Sequence, residues 1–572
     1  MIEDVYEPLG RYRDEFEAKF ASLAQEKFAE LTAASGIDVG ANRALAKKIH
    51  RLEAAAGSQR TRKLLFGLLI ALGLILIALG FVGAVVTGGS AQGAGDVVGA
   101  CVFAVALGIA VGIFALVLFR RASARLAELE RKIEAGKLTA WEQMAPLNDL
   151  YTWDIPVKLI EATVPRLAYD PYFTVGRLDS LRNRYGWSDA FNDGKSIVFA
   201  QSGEINGNPF VFGQYLEMTW GEKTYVGTKT ISWTEWETDA EGRRRRVTRH
   251  ETLHAQVTKP IPVYTESKVL VYGNDAAGNL SFSREPSGLD NATGLWGKFR
   301  KYRRLRELRA FSRNLKDESQ FTLMANEEFE TWFHAKDRDD EVGFRLLFTP
   351  VAQTQMLLLM KDRAVGYGDD FTFVKRRKVN LLASSHLDRA VIDTAPERFR
   401  NWDYDAAKKF FLEFNARYFK DAYFAFAPLL AIPLYQQTRT HEDIWREALG
   451  EPSSFWEHES IANYYGEELF RHPACVTRSL LKTRQVSRDA LGSEIEVTSH
   501  GYRSVDRVDC QSVYGGDGRW HEVEIPWKEY LPVERSRILR LTESATPAEE
   551  FGREAESAGS GICRRSILSY LA

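Results

Sequence analysis

The sequence predicts a membrane protein: a two-helix transmembrane hairpin with a helical stalk, plus a large cytosolic mixed α+β body containing two strand-rich regions. Three observations predict it. Residues 64–86 and 97–119 carry no charged side chain, and each stretch exceeds the ~20 residues a helix needs to cross ~30 Å of hydrocarbon. Basic residues flank both stretches, with Arg60, Arg62 and Lys63 before the first and Arg120, Arg121 and Arg125 after the second. The remaining sequence has an ordinary globular texture, since the whole chain is 27% charged and 45% hydrophobic.

Residues 1–63 read as N-terminal amphipathic helices. The start, Met1-Ile2-Glu3-Asp4, is acidic and has no early apolar stretch, so a cleaved secretory signal is not expected. Phe16, Phe20, Leu23, Phe28 and Leu31 recur at helical spacing over residues 11–34. After a break near Gly36 and Gly40, Leu45, Ile49 and Leu52 continue the pattern.

The transmembrane hairpin occupies residues 64–119, with spans at 64–86 and 97–119 and a Gly, Ser and Ala-rich joint whose only charge is Asp96. Basic flanks stay on the cytosolic side of a bilayer. Both termini are therefore expected on the cytosolic side, with the short joint outside. Ala104, Gly108 and Gly112 form a small-residue stripe that lets helices approach closely. The stripe faces either the first span or another chain, which leaves a homo-oligomer open. No ionisable residue lies within either span, which argues against a proton relay or ion path made by the hairpin alone. Residues 120–147 read as a juxtamembrane helix with a stripe of Leu126, Leu129 and Ile133. This stripe and the N-terminal one, carried toward the membrane by Leu45, Ile49 and Leu52, enter the cytosol side by side, so a short antiparallel coiled stalk is expected; the alternative lays residues 11–34 on the membrane surface.

Residues 148–440 are expected to form an α+β cytosolic domain. Ser196-Ile197-Val198-Phe199-Ala200 and Pro209-Phe210-Val211-Phe212-Gly213 read as strands about a Gly203 turn. Residues 228–238 and 247–257 read as a hairpin closed by Asp239-Ala240-Glu241-Gly242. Residues 298–316 read as a basic helix, 326–334 and 350–361 as helices, 342–348 as a strand, and 404–424 as an aromatic helix. Residues 423–435, apolar but short and containing Pro428 and Pro433, read as a buried extended segment. A second strand-rich region is expected over residues 441–541, with Gly515-Gly516-Asp517-Gly518 as a hairpin turn. Residues 542–572 read as a mostly disordered tail.

Composition narrows the chemistry. Lys plus Arg (75) nearly balances Asp plus Glu (77), so net charge points to no polyanionic partner and nucleic acid is not expected. The four cysteines form no CxxC pair, which suits a reducing compartment. His250-Glu251-Thr252-Leu253-His254 matches the HExxH pattern of zinc hydrolases, which requires a helix so that both histidines share one ion. Here Leu253, Ala255 and Val257 alternate with Thr252, His254 and Thr258, the period of a strand. No metal and no cofactor is expected, and His250, Glu251 and His254 remain the metal alternative. The acidic run Asp337, Asp339, Asp340 and Glu341 lacks the spacing and central Gly of a calcium loop and reads as a connection.

The strongest surface signal is cationic. Lys298, Arg300, Lys301, Arg303, Arg304, Arg306, Arg309 and Arg313 crowd one helix, and Arg243, Arg244, Arg245 and Arg246 crowd a hairpin tip. On a body tethered to a bilayer, such clusters suit the anionic inner leaflet.

Several strings resemble a family of two-span membrane proteins found in bacteria and mycoplasmas. They are Val257-Thr258-Lys259-Pro260-Ile261-Pro262, Val271-Tyr272-Gly273-Asn274, Asn326-Glu327-Glu328-Phe329, residues 337–350, Leu430-Ala431-Ile432-Pro433-Leu434-Tyr435-Gln436-Gln437, and the segment from Gly516 to Tyr530. The central part is similar to the domain-of-unknown-function family 3137. The resemblance implies the two-span topology and a bacterial inner membrane, and supplies no activity or catalytic residue. The leading expectation is a membrane-anchored, non-enzymatic scaffold that meets a protein partner at the cytosolic membrane face. A tethered hydrolase using the HETLH segment, or a subunit of a larger membrane complex, is the alternative.

Overall fold

A pair of long helices and a pair of long hairpins set the architecture. The structure, a computed structural model, describes residues 7–87, 94–238, 244–289, 294–313, 321–437, 451–489, 492–544 and 562–571. From the N-terminal side, α1 (Pro8–Arg11) leads through one π-helical turn to α2 (Glu17–Ser35), followed by α3 (Val39–Thr87) and α4 (Ala94–Asn148). Next come α5 (Ile155–Thr163), β1 (Leu167–Tyr169), α6 (Val175–Ser180), β2 (Lys195–Ile205), β3 (Asn208–Thr238), β4 (Arg244–Gly273) and β5 (Ser281–Arg284). The helices α7 (Gly294–Ser312), α8 (Glu327–Phe333), α9 (Glu341–Leu347) and α10 (Pro350–Lys361) precede β6 (Phe371–Arg376) and β7 (Val379–Ser384). The chain continues through α11 (Ser385–Arg389), α12 (Tyr404–Leu430), α13 (Phe455–Tyr465) and α14 (Glu467–Phe470). It ends in β8 (Leu480–Asp489), β9 (Gly492–Tyr514), β10 (Trp520–Glu543), β11 (Ile562–Arg564) and β12 (Ile567–Leu571). Two compact units emerge. One holds residues 24–151 and 395–414, the other residues 1–23, 152–394 and 415–572.

In the first unit, α3 and α4 are long and apolar enough to cross a membrane, and only 11% of the most apolar stretch of each is buried. They pack with their backbones in near contact. A Cβ on Gly73 would lie 2.9 Å from the Gly108 carbonyl oxygen, and one on Gly108 would lie 2.8 Å from that of Gly73. Beyond the apolar stretches both helices continue side by side, tied by Arg60–Glu130 at 2.8 Å and Lys137–Glu53 at 2.6 Å. The stalk partner of residues 120–147 is therefore α3, which carries Leu45, Ile49 and Leu52, the part of the N-terminal stripe nearest the apolar stretch, while residues 11–34 pack elsewhere. The 11–34 stripe is covered by aromatic side chains of α12 instead. Phe28 packs on Tyr404 and Phe411 in the first unit, and Phe20 stacks on Phe419 at 4.4 Å in the second. Phe16, Phe20 and Phe28 are all buried, so protein occupies the face that a membrane-surface helix would give to lipid.

The second unit holds two antiparallel sheets. The order β1-β2-β3-β4-β7-β6-β5 makes a seven-stranded sheet, and β11-β12-β10-β9-β8 a five-stranded one. Helix α13 serves both. Trp456 enters the core that includes Val211, Val269 and Val271, while Ile461 and Ala462 enter the core built on Ile495, Val497, Leu539 and Leu541. Two hairpins then outrun their sheets. β2 leaves β3 at Glu217, and β7 pairs β4 only over residues 270–273. The β3–β4 ribbon nevertheless stays in register to the pair Thr238–Arg244, which makes a free ribbon of roughly 70 Å at ~3.3 Å per residue. The β9–β10 ribbon outruns β8 in the same way and ends at the pair Tyr514–Trp520.

The two ribbons pack face to face into one arm, with a small core of Ile231, Leu253, Ala255, Val523 and Ile525. Gly227 permits the approach, because a Cβ there would lie 2.2 Å from the Glu524 carbonyl oxygen. Lys259 bridges the layers, 2.7 Å from Asp509 and over the ring of Trp527. Pro260 and Pro262 on β4, and Pro526 and Pro532 on β10, sit where those strands have no outer partner among the described residues. A residue without an N–H is tolerated at such an edge.

Four segments depart from the sequence reading. Residues 342–348, expected as a strand, belong to α9, because Asp340 caps the Gly343 N–H at 2.9 Å and Phe344 and Leu347 turn inward at helical spacing. Residues 423–430, expected as extended, continue α12 through Pro428. The proline lies in the last turn, where burial of Phe424, Phe426, Leu429 and Leu430 outweighs one lost backbone bond. The first hairpin turns at Asn206-Gly207, both at positive φ, with Gly203 inside β2. In the expected disordered tail, residues 545–561 lie outside the described residues, but residues 562–571 form β11 and β12, and β12 pairs with β10. The end of β11 buries Arg564, which donates to the Ser460 carbonyl at 2.8 Å, and the turn after it buries Arg565, which sits 3.3 Å from Glu457. Their charges are held by polar groups of α13, which composition alone does not reveal.

Candidate functional site: a paired-ribbon arm and a cationic helix

His250, Glu251 and His254 lie on β4, where side chains alternate between faces. The two histidines point to the outer face of the arm, in a ladder with Thr228, Thr230 and Ser232 across the strand pair. Residues four apart on a strand are separated by ~13 Å, so these histidines cannot hold one ion. Glu251 faces the other way, into the arm, and its carboxylate accepts the Gly516 N–H at 2.6 Å. The HETLH segment and the Gly515-Gly516-Asp517-Gly518 turn thus meet each other. Gly515 and Gly516 fit because side chains there would strike Ile231, Glu251 and Trp233 at 2.6–2.9 Å. Asp517 is 2.9 Å from His521, whose imidazole holds that carboxyl below the usual range.

The acidic run is also structural. Asp337 and Asp339 accept the Ser283 and Ser281 N–H groups of β5 at 2.8 and 2.6 Å. Glu341 pairs with the buried Arg338, which lies between the rings of Phe321 and Phe344. Among the described residues no group of three or more His, Cys, Asp or Glu side chains could hold a metal ion.

Helix α7 divides its cations between two faces. The inner face carries Lys301 against the ring of Trp332, Arg304 donating to the Ser287 carbonyl at 2.7 Å, and the buried Leu308. Arg309 is held on the flank by Glu327 at 2.7 Å. The outer face carries Phe299 (56% exposed), Tyr302 (64% exposed), Arg303 and Arg306, with Arg313 just past the helix end. At 3.6 residues per turn these five fall within about 100° of arc, and no acidic residue falls among them. Arg300 lies beside that arc, also exposed. None of Arg300, Arg303, Arg306 and Arg313 has an ion-pair partner among the described residues. The side chain of Lys298 lies outside the described ones.

The second cationic cluster caps the arm. Beyond the Gly515–Gly518 turn the β3–β4 ribbon has no second layer among the described residues, and carries Trp236 (69% exposed) opposite Arg246, with Arg244 and Arg245 exposed beside it. Arg249 is paired with Glu235 at 2.9 Å. Arg243 lies outside the described residues. The small-residue stripe lies elsewhere, with Gly108 against α3 as described, Ala104 half-buried, and open space where a Cβ on Gly112 would stand.

Sequence reasoning missed Trp236 as the aromatic centre of the tip, and missed that the two ribbons pair. The alternation of residues 228–238 was the signal for the first; nothing local signals the second. No family model, curated protein or solved structure matches this chain. The resemblance to two-span proteins rests on the sequence strings alone.

Proposed function

We propose that the protein is a membrane-anchored, non-enzymatic interaction protein of the bacterial cytoplasmic membrane, with both termini and the body on the cytosolic side. The paired-ribbon arm is its docking surface for a protein partner. The observation that carries this reading is the ribbon tip. The structure builds a long two-layer support and then extends one ribbon past it, presenting an exposed tryptophan beside Arg244, Arg245 and Arg246, which have no ion-pair partner among the described residues. Tryptophan and arginine are the residues most enriched among interface anchors. The anchor is supported by the exposed apolar band of α3 and α4, including Leu64, Leu68, Phe81, Phe103 and Phe114, which is far more than a soluble surface leaves uncovered. A photo-cross-linking amino acid at Trp236 of the full chain, activated in native membranes, should give a discrete protein adduct. The adduct should disappear when Arg244, Arg245 and Arg246 are changed to Glu. Adducts from other exposed positions but none from 236 would move the docking surface off the arm.

A second reading concerns α7. Exposed aromatics interleaved with arginines and free of acids suit the headgroup region of an anionic leaflet, and α7 presents that pattern on its outer face. The body then has two contacts of different kinds, lipid through α7 and protein through the arm.

A further inference from the structure

Behind the inner face of α7 lies a cavity of about 600 Å³, within the ~300–1,000 Å³ typical of small-molecule pockets. Its wall includes Lys301, Trp332, Lys361, Arg363 and Arg389. We propose that this cavity binds an anion bearing a phosphate group, gripped by Lys301, Arg389 and the indole N–H of Trp332.

Two of the three carboxylates in the wall, Asp362 and Asp369, are already engaged. Asp362 accepts four backbone N–H groups, from Ala364, Val365, Gly366 and Tyr367, at 2.9–3.2 Å. Asp369 is buried against Arg284 and accepts the Ser287 N–H at 2.7 Å. The third, Asp370, is exposed, and its carboxylate has no such partner among the described residues. On the cationic side, Lys361 is neutralised by Glu328 at 2.6 Å. Lys301 and Arg389 have no ion-pair partner among the described residues, so the wall carries cations that its own carboxylates do not answer.

The second observation is an orphan donor. Trp332 is 4% exposed, and its Nε1 has no hydrogen-bond partner among the described residues. A buried N–H left unsatisfied is costly, and an acceptor arriving in the cavity removes that cost. Lys301 Nζ stands 4.9 Å from the centre of the same indole ring. One ammonium, one guanidinium and one indole N–H are all donors, so the complementary ligand is rich in acceptors and negatively charged. A phosphate group supplies both properties. It can arrive on a soluble molecule or on a lipid headgroup.

The test uses the full chain in nanodiscs of neutral phosphatidylcholine. In one arm inorganic pyrophosphate is titrated in, and binding is read by calorimetry. In the other arm phosphatidic acid replaces a third of the lipid, and protection of the cavity segments is read by hydrogen exchange. Saturable binding of pyrophosphate identifies a soluble ligand, and protection by phosphatidic acid alone identifies a headgroup. Either effect should fall tenfold or more in Arg389→Gln and Lys301→Gln, and several-fold in Trp332→Phe, which keeps the ring and removes only the N–H. No effect in either arm, or an effect that all three variants retain, overturns the proposal. The leaflet contact of α7 uses Arg303, Arg306 and Arg313 instead, so the two ideas can fail separately.

Discussion

Glu251 belongs to a string that matches a zinc-hydrolase pattern and Gly516 to a glycine-rich turn, and in the fold they make one hydrogen bond that docks the turn onto a ribbon. A Gly516→Val side chain would have to displace both Glu251 and Trp233, and overpacking of this kind costs ~1–3 kcal/mol. Hydrogen exchange should then show β9 and β10 loosened near the turn. Glu251→Gln keeps an acceptor and should change stability by less than ~1 kcal/mol; unaltered exchange in Gly516→Val would show that the ribbons hold without this contact. A second expectation concerns pH. Burial pushes the Glu459 carboxyl up to about 7 and the neighbouring His458 imidazole down to about 4. Against unfolded values of ~4.3 and ~6.5, the folded chain keeps a proton on Glu459 that the unfolded chain releases, so that contribution to stability falls as pH rises from about 4.3 through 7. At His458 the unfolded chain takes a proton the folded chain refuses, so that contribution falls as pH drops from about 6.5 through 4. The two oppose each other where the windows overlap. Glu459→Gln should therefore give a melting temperature that climbs more steeply than wild type from pH 4.5 to 6.5, and parallel curves would refute the raised Glu459 titration. The strand parity of His250 and His254 was legible, because period two needs only neighbouring residues. The burial of Glu459, Arg564 and Arg565 was not, because charged residues are rarely buried unless distant partners meet them.

Among the elements, α7 was legible as a basic helix, but the sequence could not divide its arginines. Arg304 and Arg309 look the same in sequence as Arg303 and Arg306, and only Ser287 and Glu327 separate them. The consequence is testable in nanodiscs. Residues 294–313 should be protected from exchange when the lipid is partly phosphatidylglycerol and not when it is all phosphatidylcholine. The protection should fade with salt, since each cation near such a surface contributes ~1 kcal/mol and is screened within a Debye length. Arg303→Glu with Arg306→Glu should abolish it, and equal protection in both lipids would end the leaflet reading. The errors at α9 and α12 share one cause. In both, an apolar run too short to display a period was assigned by local composition, and the deciding forces were an Asp340 cap and the distant surfaces that bury Phe424 and Phe426.

At the scale of the whole molecule, the two long apolar helices were legible from composition, whereas the arm was not, because Glu251 and Gly516 are 265 residues apart. The proposed orientation predicts a labelling pattern. A membrane-impermeant thiol reagent on intact cells should reach a cysteine placed at Ser90, between the helices, and should miss one placed at Ser123. The reverse pattern would put the body on the opposite side. Anchoring as proposed has one more consequence for the ribbons. Molecules confined to a plane meet one another at raised effective concentration, and bare strand edges are templates for endless lateral pairing. Pro260, Pro262, Pro526 and Pro532 interrupt two of those edges, so crowding in the plane of the bilayer would raise the density of arms without knitting them into a fibre.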